Sequence, residues 1–402
     1  MEDLKGRTGL SRRSFIGTAT VASVGAVAMA ASARAAEPAA GQPAAASAPP
    51  APTAAAKAGA TGAKKLEEVL KVAREKLYPR CRVCPECDGQ ACAGEVPGLG
   101  GIGSGMSFKN NVTALQKVRL NMRTLHDCAR PEVSTTLFGQ KLELPVLCAS
   151  LGGTTYNMGG KMSEEDFIEA SLGGAQLAGT MGLVADGTED PLETYKLRLE
   201  AIRRHRGIGV IKPRSQQEIL ERMRLVEDAG ACAVMVDIDS AGRSARAAKL
   251  GQVIEPKTPR HLRELVRATK LPFLAKGVMT LDEAKVALDA GCAGVVVSNH
   301  GGRCLDHTPG VIEVLPEIAS YAARSAVILA DGGIRYGHDA LKFLAMGAQA
   351  VLVGRPIVRG AHGGGPEGVA LILGKLKAEL IESMTLTGVA SVRSVSRSIV
   401  TV

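Results

Sequence analysis

From Leu144 onward, short apolar runs alternate with stretches whose apolar positions fall three or four residues apart. The runs recur about every 29 residues, the length of one strand–helix unit. They are Pro145 to Ser150, Thr180 to Ala185, Gly207 to Lys212, Cys232 to Asp239, Pro272 to Val278, Gly294 to Asn299, Ala326 to Asp331 and Ala350 to Gly354. Between them, Ser215 to Ala229, Leu281 to Ala290 and Gly337 to Met346 carry helical spacing and reach the Ala-Gly or Met-Gly expected at a helix C-terminus. Eight such units predict an α/β chain closed as a (β/α)8 TIM barrel. An open doubly wound sheet would place a Gly-rich turn after its first strand, and none follows Pro145 to Ser150.

The N-terminal pattern is different. Ser11-Arg12-Arg13-Ser14-Phe15-Ile16 precedes a small-residue apolar stretch, Thr18 to Ala31, and then Ala33-Arg34-Ala35. This predicts a twin-arginine signal over 1–36 with an A-x-A cleavage site, hence an exported, periplasmic or extracytoplasmic protein. The apolar stretch is short for a membrane anchor. Residues 37–63 are Ala, Pro, Gly and Ser with almost no bulky side chain, which predicts a flexible tether. Residues 64–132 then form a helical, Cys-rich segment ahead of a barrel over 133–402.

Composition narrows the function classes. The 402 residues are 46% hydrophobic, with 47 glycines, 3% aromatics and no Trp, which suits an α/β fold and speaks against base-stacking platforms. The net charge of +9 falls to about +6 without the signal, and no basic run is denser than Arg203, Arg204 and Arg206. Nucleic acid is therefore excluded as a partner, and a small anionic substrate fits.

Barrel sites lie past the C-terminal ends of the strands, and there the polar residues gather. Strand four ends in Asp237 and Asp239, strand five carries Lys276, strand six runs into Ser298-Asn299-His300-Gly301-Gly302-Arg303, strand seven into Asp331-Gly332-Gly333-Ile334-Arg335, and strand eight into Gly354-Arg355. Glycine amides and two arginines after strands seven and eight predict a phosphate grip. His300, between a strand and two glycines, is the candidate base. Asp237 is the candidate orienting carboxylate; Asp239 shares its strand face by spacing, so both stay open as partners. Cys304 is read as packing.

At these residues the chain resembles the FMN-dependent α-hydroxy-acid oxidases and dehydrogenases, the glycolate oxidase and lactate oxidase family, from about Leu66 to the C-terminus. The resemblance rests on Ser298 to Arg303 with Leu305-Asp306, Lys276 in Ala-Lys-Gly, Asp331 to Arg335, and Gly354-Arg355-Pro356. It implies FMN as cofactor, with Lys276 on the ring, Ser298, Asp331 and Gly332 in the cofactor site, and Gly333, Arg335, Gly354 and Arg355 on the phosphate. It implies proton abstraction by His300 from a lactate- or glycolate-like 2-hydroxy acid, Asp237 stabilising the imidazolium, and hydride transfer to flavin. Arg303 and, less well aligned, Arg243 would bind the substrate carboxylate. It also implies a homo-oligomer and an electron acceptor among oxygen, quinone and cytochrome.

Departures lie on the substrate side. The family's N-terminal Tyr-Tyr element is missing, and its strand-three tyrosine gives way near Ile211 and Lys212, with Asp186 and Lys212 as stand-ins for its polar flavin contacts. Other readings therefore stand: an FMN-dependent isomerase like type 2 isopentenyl diphosphate isomerase, or a flavin electron-transfer module. Cys81, Cys84, Cys87 and Cys92 replace the tyrosine region with C-x2-C-x2-C-x4-C spacing, open to zinc, an iron–sulfur centre, disulfides or free thiols. Cys148, Cys232 and Cys292 are read as core. Gly98, Gly100, Gly101, Gly103 and Gly105 imitate a dinucleotide fingerprint, but no strand precedes them, which predicts a flexible loop.

Overall fold

The computed structural model describes residues 54–188, 190–243, 248–322 and 325–402, with side chains from residue 65 and without that of Arg243. The twin-arginine segment and the tether up to residue 53 lie outside the described residues. The tether was placed as far as residue 63, whereas helix Ala54–Leu77 already covers its end. Six of the ten residues 54–63 are Ala, the strongest helix former, which suits the start of this helix.

Eight parallel strands close the barrel: β1 Val146–Cys148, β2 Gly182–Ala185, β3 Gly207–Ile211, β4 Val234–Asp237, β5 Phe273–Val278, β6 Gly294–Val297, β7 Val327–Ala330 and β8 Ala350–Val353. β8 pairs with β1, Val351 opposite Val146, which closes the ring. Each strand falls inside the run that predicts it. The predicted helices appear as Gln216–Asp228, Leu281–Asp289 and Gly337–Ala345.

Alternation along the strands divides the core in two. Leu147, Leu183, Met235, Leu274, Val296, Leu329 and Leu352 fill the barrel interior. Val146, Val184, Val234, Ala275, Val295 and Val351 belong to the second cluster, packed with the surrounding helices. A hairpin of Thr135–Leu137 and Gln140–Leu142, turning on Phe138 and Gly139 at positive φ, adds Leu137 and Leu142 to the interior cluster. Asp237 is in phase with Met235, and Lys276 with Leu274. The two are register partners across β4 and β5, so both belong to the inward-facing set at the C-terminal end.

After β8, the stretch Arg355–Thr387 is two helices meeting at Gly364 and Gly365, with Pro366 starting the second. No helix among the described residues is long and apolar enough to cross a membrane.

Candidate active site

Asp237 is the electrostatic centre of the C-terminal rim. Its carboxylate accepts from Lys212 Nζ at 2.5 Å and from Lys276 Nζ at 2.8 Å, and it is fully buried. Burial would raise its pKa, but the two ammonium groups and His300 outweigh that and hold it well below the usual carboxylate range. Lys276 gives the converse: burial opposes its charge, yet Asp237, Asp239 and Asp331 raise its pKa. Its ammonium is fixed as a cation.

His300 Nδ1 meets Asp239 at 3.1 Å, while Asp237 stands at 3.6 Å. The carboxylate selected from sequence as the orienting group is therefore the second neighbour. The strand ends at Asp237 and the chain turns at once into a 3-10 helix, Ile238–Arg243, so the period-two spacing does not continue to Asp239. A bulge at Gly277, at φ 102°, makes room: a Cβ there would lie 2.6 Å from that of Asp239. With Nδ1–H donating to Asp239, Nε2 is the nitrogen left as proton acceptor.

His300 itself has φ 57°, followed by Gly301 at 63° and Gly302 at 78°. A non-glycine residue in this region is strained and calls for a functional reason. Gly302 is needed for contact, because a Cβ there would lie 2.3 Å from the Phe108 amide nitrogen. Ser298 locks the loop, donating to Asp331 at 2.8 Å and accepting from the His300 amide at 3.0 Å. Burial, only partly opposed by Lys276, raises the pKa of Asp331. Against burial, Cys304 when ionised, Asp239 and Asp237 raise the His300 pKa to about 10. Cys304, expected to be packing, has its sulfur within 4.8 Å of ligand atoms of both Asp239 and His300.

The phosphate grip has the donors that sequence assigned to it. Gly332 and Gly333 lie at φ 103° and 89°, and among the described residues their amides make no hydrogen bond. Gly354 caps the N-terminus of the helix beginning at Arg355. Arg335 bonds the carbonyls of Ile334 and Cys87 while its buried Nε has no partner. Arg355 donates to the carbonyls of Leu99, Gly100 and Gly301 and stacks 3.6 Å from the centre of the Phe108 ring. Neither guanidinium meets a carboxylate among the described residues. Burial first, and Arg335 next, pull the Arg355 pKa down to about 9, the signature of a cation that wants an anion. A phosphate dianion supplies that charge, so the residues fit FMN.

A cavity of about 1040 Å³, its open mouth included, is lined by His300, Lys276, Lys212, Arg303, Arg335, Arg355, Asp331 to Gly333 and Gly354. Most site residues predicted from sequence thus meet in one place. Arg303 donates from Nη2 to Gly98 O and Asn157 Oδ1, both at 2.9 Å. Asp186, offered as a stand-in on the flavin, is instead engaged by Arg214 at 2.7 Å and Arg222 at 3.2 Å. Lys212 does face the cavity. The side chain of Arg243 lies outside the described residues.

Tyr156, Asn157 and Leu99 also line the cavity and were not identified from sequence. For Leu99 and Asn157 the signal is long-range. The loop carrying Leu99 is fastened by Arg303 and Arg355, and Gly98 N donates to Asn157 Oδ1 at 3.1 Å. This glycine-rich segment is therefore built rather than flexible. A Cβ on Gly100 would lie 1.9 Å from the carbonyl oxygen of Cys92, so the glycines allow close packing of chain on chain.

The four clustered cysteines form no disulfide in this structure. Among the described residues no three of their sulfurs lie within 4.8 Å of one another, wider than the roughly 3.8 Å between sulfurs of a formed tetrahedral zinc site. Cys148 and Cys292 are core, burial pushing both thiols up to about 12. Cys232 is only partly buried, against Met181.

Comparison with known proteins agrees with this geometry. The model of the family described as FMN-dependent dehydrogenase matches residues 99–259 and 248–402. A 2-hydroxyacid oxidase of Dictyostelium discoideum is 31% identical over 327 residues, covering 73% of this chain and 82% of that protein. The human 2-hydroxyacid oxidase 1 is 30% identical, covering 73% of this chain and 88% of its own length. A crystal structure of mandelate oxidase superposes with a TM-score of 0.69 at 28% identity, covering 84% of this chain and 97% of that one.

Proposed function

The chain belongs to the FMN-dependent dehydrogenase family, a family of oxidoreductases, and we propose that it oxidises a short 2-hydroxy acid of the lactate or glycolate kind to the 2-oxo acid. One observation carries the reading: His300, held through Nδ1 by Asp239, opens onto the same cavity as Lys276 and the unpaired arginines of the phosphate grip. FMN, when bound, supplies the acceptor for the hydride equivalent leaving the α-carbon. Gly332, Gly333, Arg335, Gly354 and Arg355 would hold its phosphate, and Lys276 would set a positive charge beside its ring.

Nε2 of His300 takes the proton of the α-hydroxyl, and Asp239 with Asp237 stabilises the imidazolium that results. Arg303 binds the substrate carboxylate beside Asn157. A short acid is supported over an aryl one by Leu99, which is buried against this cavity and held there through its carbonyl by Arg355.

The test is anaerobic bleaching of the yellow holoenzyme by L-lactate, glycolate and mandelate in turn. Fast bleaching by lactate or glycolate supports the assignment, bleaching by mandelate alone moves it to aryl acids, and no bleaching by any of them overturns it.

The same assay has an expected pH profile. A base must be neutral to accept a proton, and the His300 pKa is raised, so the bleaching rate is expected to climb by about tenfold per pH unit across the neutral range. In Asp239→Asn one carboxylate favouring the imidazolium is gone, and the rising limb is expected at lower pH. An unmoved limb would assign it to another group.

A further inference from the structure

The loop 81–92 brings all four clustered cysteines, Cys81, Cys84, Cys87 and Cys92, onto one small cavity of about 350 Å³ next to the phosphate grip. Leu99 and Arg355 line both this space and the larger cavity. The loop is held in shape by its own packing. Gly94 N donates to Gly101 O at 2.9 Å, Ala93 bridges Gly101, and Gly89 at φ 88° lets Phe108 approach so closely that a Cβ would lie 2.7 Å from its ring. The thiols are thus presented by a formed structure rather than by a strand awaiting order.

We propose that this cavity is the site of an iron–sulfur cluster held by Cys81, Cys84, Cys87 and Cys92. All four cysteines line this one space, and four thiolates around one small cavity are the ligand set of an iron–sulfur core. The first three share the C-x2-C-x2-C run of bacterial clusters, in which the fourth ligand of the same core comes from elsewhere in the chain; here Cys92 lies on the same cavity and takes that place.

Charge points the same way. Arg359 donates to the Cys84 carbonyl at 3.4 Å, its buried Nε has no partner, and neither it nor Arg355 meets a carboxylate among the described residues. Four arginines line the space, Arg80, Arg82, Arg355 and Arg359; Arg82 is paired with Glu95 and Arg355 is shared with the phosphate grip, which leaves Arg80 and Arg359 to face an anionic cluster. The acidic lining residues are less buried: Glu86 is exposed, and half-buried Asp88 is engaged by the amide of Gln90 at 3.0 Å.

The test uses the full chain with FMN, purified without oxygen and supplied with ferrous iron and sulfide. About four iron and four acid-labile sulfide per chain, with a paramagnetic signal after dithionite reduction, are expected. Cys84→Ser and Cys92→Ser should each lose the signal and most of the iron while keeping the flavin spectrum. Cys128→Ser, outside the loop, should keep both. Zinc without sulfide, a metal-free chain with disulfides among these cysteines, or iron undiminished in both loop variants would overturn the proposal. If a loop variant also loses FMN, the iron, sulfide and signal of the unaltered chain decide.

Discussion

His300→Asn is expected to slow anaerobic flavin bleaching by about a hundredfold to ten-thousandfold, the usual contribution of a positioned base, while the protein stays folded and yellow. Asparagine is the replacement of choice because the backbone at 300 sits at φ 57°, a region that asparagine enters more readily than most residues. Alanine would mix loss of the base with strain in the loop that also carries Gly301 and Arg303. Ser298 and Asp331 hold the loop through the main chain, so they are untouched by the change. Stopped-flow reduction by lactate measures the loss, and the flavin spectrum reports cofactor retention. Bleaching within a few-fold of the unaltered protein would show that His300 is not the base.

Arg355→Met is expected to weaken FMN binding by about a hundredfold to a thousandfold, or about 3–4 kcal/mol, the scale for removing one partner of a buried charge pair. Methionine keeps much of the volume against Phe108 and removes only the charge and its hydrogen bonds. Fluorescence titration of the flavin-free protein gives the affinity. Heating gives a second readout, since a ligand that binds only the folded state raises the melting temperature in proportion to the logarithm of its saturation. The variant should lose most of the rise that FMN produces in the unaltered protein. An unchanged affinity would place the phosphate elsewhere.

Much of this architecture was legible in the sequence, for physical reasons. A buried parallel strand has to be a short apolar run, and each run here contains its strand. The candidate rim followed because side chains at strand ends have one place to go. Legibility stopped where the backbone left regular periods. Asp239 could not be told from Asp237 because its position depends on a 3-10 turn and on a bulge at Gly277, neither of which leaves a pattern in hydrophobicity.

Leu99 and Asn157 escaped notice for a different reason. They enter the site through contacts between segments far apart in the chain, in which the partner or the group itself is backbone, the Gly98 amide for Asn157 and its own carbonyl for Leu99, and carries no residue identity. The glycines from 98 to 105 misled in the same way: their number suggested freedom, while their surroundings use them for closeness.

The grip and its strap come from opposite parts of the chain. Arg335 and Arg355 follow β7 and β8, whereas the carbonyls they hold, Cys87, Leu99 and Gly100, precede β1. β8 must also find β1 before the ring exists. Assembly of the site is therefore a late event in time: a growing chain that has made β1 to β6 has His300 and Lys276 but neither arginine of the candidate phosphate grip. The last barrel strand both shuts the ring and brings the anion grip, so the chain becomes competent for its cofactor only once the barrel is complete.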